Sequence, residues 1–418
     1  YIPLARAPKG NTDMAVTQFP MSIVESIGLL KLDFLGLATL TQMRVACKLI
    51  EERHGVKLDL DTIPTDDECI FRLLTNGEVV GIFQVESEGM KKTLAHMRPT
   101  GLEDIIAVLA LYRPGPMQFI PNYCDRKHGE EAVEYIHPSL EPILSETYGV
   151  IVYQEQIIRI FRDLAGYSGG EADVIRRAIS KKKEKIIAEH KLIFRKGCEG
   201  NGIPAAQADA IYDMIEFFSN YGFNKAHTTD YAVITCQTAY LKAKYPVEYM
   251  TALLTVEQDN TDKISNFLGE CRRLGIEVLP PDVNFSDVDF AVTDEVEDAG
   301  DDGAGVVAGA GVGVDTVCAL SGGAIRFGMG AIKNVSVGAV QEIIRARDEG
   351  GAFVSLDDFC ERVDLRQINR RMLECLIKVG ALDRFGSRGQ LLAATDQMVG
   401  MSQKIHQAED VGQMTMFD

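Results

Sequence analysis

Three side chains that could hold an anion stand close together in the stretch YGFNKAHTTDYA. They are Asn224, Lys225 and His227. Thr228 and Thr229 are candidate N-caps of the apolar-patterned helix that follows. Because a helix N-terminus presents unpaired N–H groups and a partial positive charge, Lys225 and a donating His227 would complete a cradle for a triphosphate there.

Two aromatic residues flank this cradle. Tyr221 and Phe223 offer flat faces against which a base or a sugar could rest. A second interpretation stays open to the same degree, in which Asn224 and His227 only satisfy neighbouring backbone groups.

A second concentration of positive charge lies upstream, in YSGGEADVIRRAISKKKEKIIAEHKLIFRKG. Ser168 and Glu171 have the spacing of a capping box, which predicts a helix from about Gly169. Residues 176–196 hold nine Lys or Arg and two Glu, a net charge of +7 in a chain that totals −18. The total charge argues against a nucleic-acid partner, but this segregation of sign outweighs it.

On one continuous helix, Arg177, Lys181 and Lys185 would form a stripe, because residues four apart share a face. Such a stripe repels itself, and a polyanion would relieve the repulsion. Arginine also matches phosphate oxygens in geometry, and Arg176 stands beside the stripe. The alternative is a solvated, lysine-rich surface.

Composition and patterning together predict a soluble, mainly α-helical protein with small β elements and several domains. A chain of 418 residues exceeds one typical core, and its 46% hydrophobic and 25% charged residues are typical of globular proteins. The longest apolar or glycine run, residues 303–314, is too short to cross a bilayer. Nine cysteines without a Cys-x-x-Cys pair predict reduced thiols and no structural zinc site.

The patterning along the chain suggests where these elements lie. A strand is predicted to end near Asp33, and a helix to follow from Thr39 to His54. Helical patterns dominate residues 63–276, and an acidic, Gly/Ala-rich insertion occupies residues 294–323. Compact helices resume over residues 324–398, before a polar tail from Val399. Because the chain does not begin with Met, we expect it to be a piece of a longer protein.

Six stretches together resemble the bacterial replicative DNA polymerase III alpha subunits, the C-family DNA polymerases. They are KLDFLGLATLT, GIFQVESEGM, DIIAVLALYRPGPM, ETYGVIVYQEQI, AGYSGGEADVIRRAISKKK and YGFNKAHTTDYA. They follow the family's order and spacing. The resemblance implies five parts: residues 1–38 the end of the palm, 39–290 the fingers, 291–323 an insertion or linker, 324–398 a tandem helix-hairpin-helix domain, and 399–418 a linker with a clamp-binding motif.

The resemblance also implies roles for particular residues. Asp33 matches a catalytic, metal-binding carboxylate of the palm, and Lys31 a lysine near the nucleotide phosphates. The remaining residues implied to bind the nucleotide are Arg113, Arg176, Arg177, Lys181, Tyr221, Asn224, Lys225 and His227. For Arg113, the alternative is a cation at a helix C-terminus that interacts favourably with the helix dipole.

The implied reaction is phosphoryl transfer assisted by two Mg²⁺ ions, in which an incoming dNTP is added to a primer. The family's Asp-x-Asp pair does not precede Asp33 in this sequence. One carboxylate should not hold two catalytic metals, so we expect these 418 residues alone to be inactive.

The C-terminal part implies contacts with DNA and with a sliding clamp. IKNVSVGAVQEII resembles a first hairpin with Lys333 and Gly338, although Ser336 replaces its usual first glycine and could weaken a turn that needs positive φ. LIKVGALDRFG resembles a second hairpin with Lys378 and Gly380. The pentapeptide QMTMF resembles the family's clamp-binding motif, with Gln413, Met416 and Phe417 as its contacts.

The favoured hypothesis is therefore part of a cytoplasmic, bacterial replicative DNA polymerase. Its implied partners are primer-template DNA, dNTP, the sliding clamp and other subunits of the replicative holoenzyme, with no membrane. The first alternative is a stand-alone module that binds DNA and clamp without catalysis. The second is an unrelated helical protein that binds nucleotides.

Overall fold

Helices joined by short turns make up most of the protein. A computed structural model describes residues 2–6, 15–180, 184–219, 221–293, 318–320 and 322–410. It divides the chain into two compact units, Tyr1–Leu40 and Thr41–Asp418. Its many helices and few short strands confirm the predicted fold class.

The first unit contains a short hairpin and one helix. β1 (Leu4–Arg6) pairs antiparallel with β2 (Ala15–Thr17), and α1 spans Met21–Ser26. The strand predicted to end near Asp33 is wrong, because residues 29–37 have no regular secondary structure. A strand needs a hydrogen-bonded neighbour, and no described residue of this unit forms a ladder with this segment.

Helices dominate the second unit. They begin with α2 (Ala38–His54), α3 (Glu68–Thr75), α4 (Glu88–Met97), α5 (Leu102–Leu111), α6 (Ile120–Lys127) and α7 (Glu141–Leu144). They continue with α8 (Gln154–Ala165), α9 (Gly169–Ser180), α10 (Glu184–Gly200), α11 (Ala205–Ser219), α12 (Lys225–Lys244), α13 (Pro246–Val256) and α14 (Thr261–Arg273). The helix predicted from Thr39 to His54 is confirmed by α2.

These helices bury two apolar cores. One core is shared by α2 to α6 with α12, α13 and α14, and the other by α7 to α11. Both form because each helix turns an apolar face inward. Among the described residues, no helix combines the length and the apolar character that a bilayer crossing requires.

The basic segment folds as two helices rather than one. The predicted capping box is present, since the Glu171 N–H donates to Ser168 Oγ at 3.3 Å and the Ser168 N–H to Glu171 Oε2 at 2.9 Å. However, α9 ends at Ser180 and α10 begins at Glu184. The stripe predicted through Lys181 therefore does not run along one helix, and Lys181 lies outside the described residues.

Two cations of α10 pair with carboxylates of α11. Arg195 Nε donates to Asp209 Oδ1 at 2.8 Å, and Lys191 pairs with Asp213. These two cations of the basic segment therefore have structural partners, which neither the phosphate-binding interpretation nor the solvated, lysine-rich surface predicted.

A three-stranded sheet follows α14. Its strands are β3 (Val278–Leu279), β4 (Ala291–Thr293) and β5 (Ala324–Arg326). The central strand β5 is parallel to β3 and antiparallel to β4, with Thr293 opposite Ala324. Most of the predicted insertion, residues 294–317 and 321, lies outside the described residues.

One pair of cysteines differs from the expectation of reduced thiols. Cys69 in α3 forms a disulfide with Cys318, 249 residues later, with a Cα–Cα distance of 6.1 Å. The other seven cysteines are free. The prediction is therefore wrong for this pair, because folding joins two cysteines whose separation along the sequence gives no signal.

The C-terminal helices bury a third core. They are α15 (Val337–Gly350), α16 (Leu356–Arg362), α17 (Arg370–Val379) and α18 (Arg388–Asp410). The polar tail predicted from Val399 begins inside α18. Ser402 in that helix is buried, donates to Val363 O at 2.8 Å and accepts the Leu365 N–H at 3.0 Å, so this stretch is packed rather than a linker.

Candidate functional site

Residues 221–227 are fixed to the start of α8 by backbone hydrogen bonds. Tyr153 and Phe223 form a parallel β-bridge. The Phe223 N–H donates to Val152 O at 3.0 Å, and the Gln154 N–H donates to Phe223 O at 2.9 Å. Because Val152 and Tyr153 are buried, this bridge joins the segment to the core of the unit.

The start of α12 follows at once. Asn224 is its N-cap, and Asn224 Oδ1 accepts the His227 N–H at 2.8 Å. The Lys225 N–H donates to both carboxylate oxygens of Glu155, at 3.1 and 3.0 Å. Two N–H groups that were expected to be unpaired are therefore occupied, and Asn224 has the local capping role of the alternative interpretation.

Thr228 and Thr229, the predicted N-caps, lie inside the first turn of α12. Their hydroxyls donate to the carbonyls of Asn224 at 3.1 Å and Lys225 at 2.8 Å. The prediction is wrong because Asn224 is itself a preferred capping residue and starts the helix earlier.

The Lys225 side chain projects from this helix start toward α8. Its Nζ lies 2.6 Å from Glu146 Oε2 and 5.2 Å from the centroid of the Tyr153 ring. Lys225 and Glu146 are 35% and 38% exposed, so an anion from solvent can reach the pair. Burial raises the pKa of Tyr153, which therefore stays neutral.

His227 is exposed and lies between two aromatic rings. Its ring centroid is 5.7 Å from that of Phe223 and 4.5 Å from that of Tyr231. These contacts orient the imidazole while leaving it open to solvent.

The guanidinium of Arg113 also contacts the residues just before α12. Its Nη2 donates to Tyr221 O at 2.8 Å, and its guanidinium lies 4.2 Å from the Phe223 ring centroid. Its Nε donates to Ala110 O at 2.9 Å, at the end of α5, which is the helix-terminal contact of the alternative. Burial lowers the pKa of Arg113.

Arg176 and Arg177 share one acid in the preceding turn of α9. Arg176 Nη2 and Arg177 Nη2 lie 2.8 and 2.7 Å from the two carboxylate oxygens of Asp173. The hydrogen bond from Arg176 holds the pKa of Asp173 below its ordinary value. Arg176 is mostly buried at 13% exposed, whereas Arg177 is 66% exposed.

Each group of cations belongs to or contacts one of two neighbouring helices: Arg176 and Arg177 lie on α9, and Lys225 is bound by Glu155 of α8. Only three residues connect α8 to α9, and the two helices pack together in a core that includes Ile157, Ile175 and Ile179. Connections this short are typical of antiparallel helix pairs. In such a pair, the end of α9 would lie beside the start of α8.

Asp33 lies in the first unit with Lys31. The Lys31 Nζ is 3.0 Å from Asp33 Oδ2, and the side chains are 44% and 58% exposed. Divalent metals need several oxygen ligands, and the described parts of the chain contain no group of three or more His, Cys, Asp or Glu that could hold one. The residues present do not fit a two-metal site.

Comparison with known proteins gives matches over most of the chain. The bacterial DNA polymerase III alpha subunit finger domain model matches residues 39–202, and a helix-hairpin-helix motif model matches residues 275–391. The DNA polymerase III subunit alpha of Thermus aquaticus is 45% identical over 95% of this chain and 30% of that protein. This chain belongs to the DNA polymerase III alpha subunit family.

Two further members are comparably similar. The proteins from Bacillus subtilis (strain 168) and Escherichia coli (strain K12) are 44% and 42% identical over 98% and 96% of this chain. The alignments cover 34% and 33% of those proteins, so this DNA polymerase III alpha chain spans about a third of the length of these relatives.

The first hairpin of this alpha-family chain has its left-handed residue at an unexpected position. Asn334 has φ +68°, whereas Ser336 has φ −86° and caps α15 by accepting the Ala339 N–H at 3.3 Å. The expected weakening at Ser336 is wrong, because Asn334 tolerates the left-handed region. Lys333 and Gly338 are exposed on either side of this cap.

The second hairpin turns at Gly380, which follows α17 with φ +94°. Lys378 is 58% exposed and pairs with Glu374 at 3.3 Å. Arg388 donates to Lys378 O at 3.2 Å and closes the turn. The predicted clamp contacts Gln413, Met416 and Phe417 lie outside the described residues.

Four residues of the site were missed by sequence reasoning: Gly115, Glu146, Glu155 and Asp173. Gly115 has φ +102°, and a Cβ there would lie 2.3 Å from Tyr221 Cε1. The two glutamates stand in ETYGVIVYQEQI, one of the stretches that carried the alpha-family resemblance, which is the signal that could have pointed to them.

Proposed function

We propose that this chain binds the incoming nucleotide and the primer-template DNA of a template-directed replicative DNA polymerase. The observation that carries the proposal is that Arg176 and Arg177 lie on α9, while Lys225 is bound by Glu155 at the start of α8, the helix that packs against α9. A dNTP carries its negative charge on three phosphates, which such a group of cations would offset.

Each residue of this site has a physical role in the proposal. The exposed guanidinium of Arg177 would make paired hydrogen bonds to phosphate oxygens. The ammonium of Lys225 would act as a point charge. The exposed His227 would donate to the same phosphates, and the ring of Tyr221 would stack against the base or sugar.

Substitution of Lys225 tests this proposal. We expect Lys225→Gln to weaken dATP binding by this chain about tenfold or more, because a hydrogen bond between two charged groups is lost. Isothermal titration calorimetry at low salt, with Lys181, Arg176 and Arg177 intact, measures the change.

Lys263→Gln is the matched control. Lys263 is also paired with a glutamate at 2.6 Å, but it lies on α14, away from the segment described above. Equal dATP affinities for the Lys225 and Lys263 variants would contradict the nucleotide site.

Catalysis by these residues alone is not part of the proposal. Asp33 with Lys31 forms no metal site among the described residues, so we expect no primer extension by this chain. We propose that nucleotidyl transfer, with Mg²⁺ as the metal, needs further carboxylates of a complete palm. Primer extension restored by an added palm domain supports this. Tight DNA binding without such rescue supports the stand-alone binding module.

We further propose that the two hairpins bind the backbone of duplex DNA. Lys333 and Lys378 are exposed beside the turns at Asn334 and Gly380. We expect Lys333→Ala and Lys378→Ala each to lower duplex affinity independently of sequence, and to reduce the slope of log affinity against log salt by about one. Fluorescence anisotropy over a salt series checks this. Lys404→Ala, an exposed lysine on α18, should leave the slope unchanged.

The clamp interaction rests on the sequence of the tail. We propose that Gln413 binds at the rim of a clamp pocket while Met416 and Phe417 fill it, in a cytoplasmic holoenzyme with other replicative subunits. A Gln413→Ala, Phe417→Ala double variant should lose binding to a purified sliding clamp in surface plasmon resonance. Retained binding would contradict the assignment.

A further inference from the structure

Three cations of the proposed nucleotide site, Arg176, Arg177 and Lys225, are paired with carboxylates of the same unit. Asp173 pairs with Arg176 and Arg177, and Glu146 pairs with Lys225. A triphosphate must compete with these acids for the same donors. The question is which of the acids can leave without disturbing the cation that it holds.

Lys225 has two contacts besides its ion pair with Glu146. Its backbone N–H is held by both oxygens of Glu155, at 3.1 and 3.0 Å. Its ammonium also lies 5.2 Å from the centroid of the Tyr153 ring, and an aromatic face attracts a cation. Two groups other than Glu146 therefore position this lysine.

The backbone around Glu146 is rigid while its side chain is open to solvent. The neighbouring Thr147 is buried, donates to Val150 O at 2.6 Å and accepts from Gln156 Nε2 at 2.8 Å. The Glu146 side chain is 38% exposed. Rotation of this side chain alone can release Lys225, with no movement of the turn that carries it.

The other two acids are not exchangeable in this way. Asp173 lies on the same helix as Arg176 and Arg177, and its local hydrogen bonds set the rotamers of both arginines. Glu155 caps the backbone of α12 and does not contact the Lys225 ammonium through any described bond. Of these three acids, Glu146 is the one whose side chain pairs with a cation of a separate element at an exposed position.

We propose that Glu146 is an exchangeable counter-ion that occupies Lys225 in the nucleotide-free protein and is displaced by the triphosphate, so that it sets the affinity for nucleotide. This inference rests on the proposed function. Glu146 then lowers the affinity of every anion that binds Lys225, and a triphosphate still displaces it because its several phosphates can contact more than one cation at once.

Calorimetric titration of the full chain with dATP and with inorganic tripolyphosphate tests the proposal. We expect Glu146→Gln to tighten both by about two- to fivefold, since an exposed ion pair of this kind contributes that much. Inorganic phosphate, which wild type should bind weakly, should gain a comparable factor. Affinity for duplex DNA, measured in parallel, should not change by this factor.

Glu141→Gln is the matched control, because it removes the same charge from an exposed glutamate five positions earlier. Equal tightening by Glu141→Gln would reduce the effect to general charge and overturn the proposal. Unchanged or weaker binding by Glu146→Gln would also overturn it. Lys225→Gln distinguishes failure of this inference from failure of the proposed function. If it leaves dATP affinity unchanged, or if wild type binds neither anion, the nucleotide site itself is wrong.

Discussion

Replacing Lys242 by alanine should lower the free energy of unfolding by about 3–5 kcal/mol, because it breaks a buried ion pair by removing one partner. The side chain of Lys242 has no exposed surface. Urea unfolding followed by circular dichroism measures the change.

The Lys242 ammonium is fully engaged within the core of α12 and α14. Its Nζ donates to Glu78 O and Val80 O at 2.7 Å each, and to Glu270 Oε1 at 2.6 Å. Although burial alone would raise the pKa of Glu270, hydrogen bonds from Arg273 and Lys242 bring it below its ordinary value. Alanine at position 242 would also remove the donor from two partly buried carbonyls, which adds to the lost pair.

Lys263→Ala supplies the comparison for this prediction. Lys263 also pairs with a glutamate at 2.6 Å, but it is 50% exposed, so its loss should change stability by less than about 1 kcal/mol. Similar losses for the two variants would show that burial does not set the strength of the Lys242 pair.

Replacing Gly115 by alanine should lower the free energy of unfolding by about 2–4 kcal/mol and weaken dATP binding. Gly115 has φ +102°, which strains any other residue. An added Cβ would lie 2.3 Å from Tyr221 Cε1 and 2.7 Å from its Cδ1, so the tyrosine must also move. Urea unfolding and calorimetric titration with dATP measure the two effects.

Gly129→Ala separates backbone strain from the clash. Gly129 has φ +75°, but no atom lies within 4 Å of the position of a Cβ. It should lose only about 1 kcal/mol and keep its affinity for dATP. If Gly115→Ala behaves like Gly129→Ala, the contact with Tyr221 does not shape the site.

Local patterns predicted individual elements well. The capping box at Ser168 and Glu171 marked the start of α9, because its two hydrogen bonds join residues three apart in sequence. The same kind of reasoning failed for the strand near Asp33. A strand depends on a neighbour, and alternation of apolar residues cannot report whether one is present.

The cations of the candidate site were singled out from the sequence, whereas the acids that pair with them were missed. Arg177 stood out because residues 176–196 concentrate positive charge in a chain that totals −18, and Lys225 because it precedes the start of a predicted helix. Glu146 and Glu155 are two of many acids, and only folding brings them to Lys225. Gly115 was missed for the same reason, because a side chain there would clash with the ring of Tyr221, which is distant in the sequence.

The pairing of Thr293 with Ala324 has a practical consequence. The two residues lie opposite each other, so neither strand fixes the length of the chain that joins them. Part of that chain is anchored, because Cys318 forms a disulfide with Cys69. Doubling the length of a flexible loop costs only about 0.6 kcal/mol of closure entropy. A fluorescent reporter or an affinity tag with flexible linkers can therefore be grafted between Thr293 and Cys318 at little cost in stability.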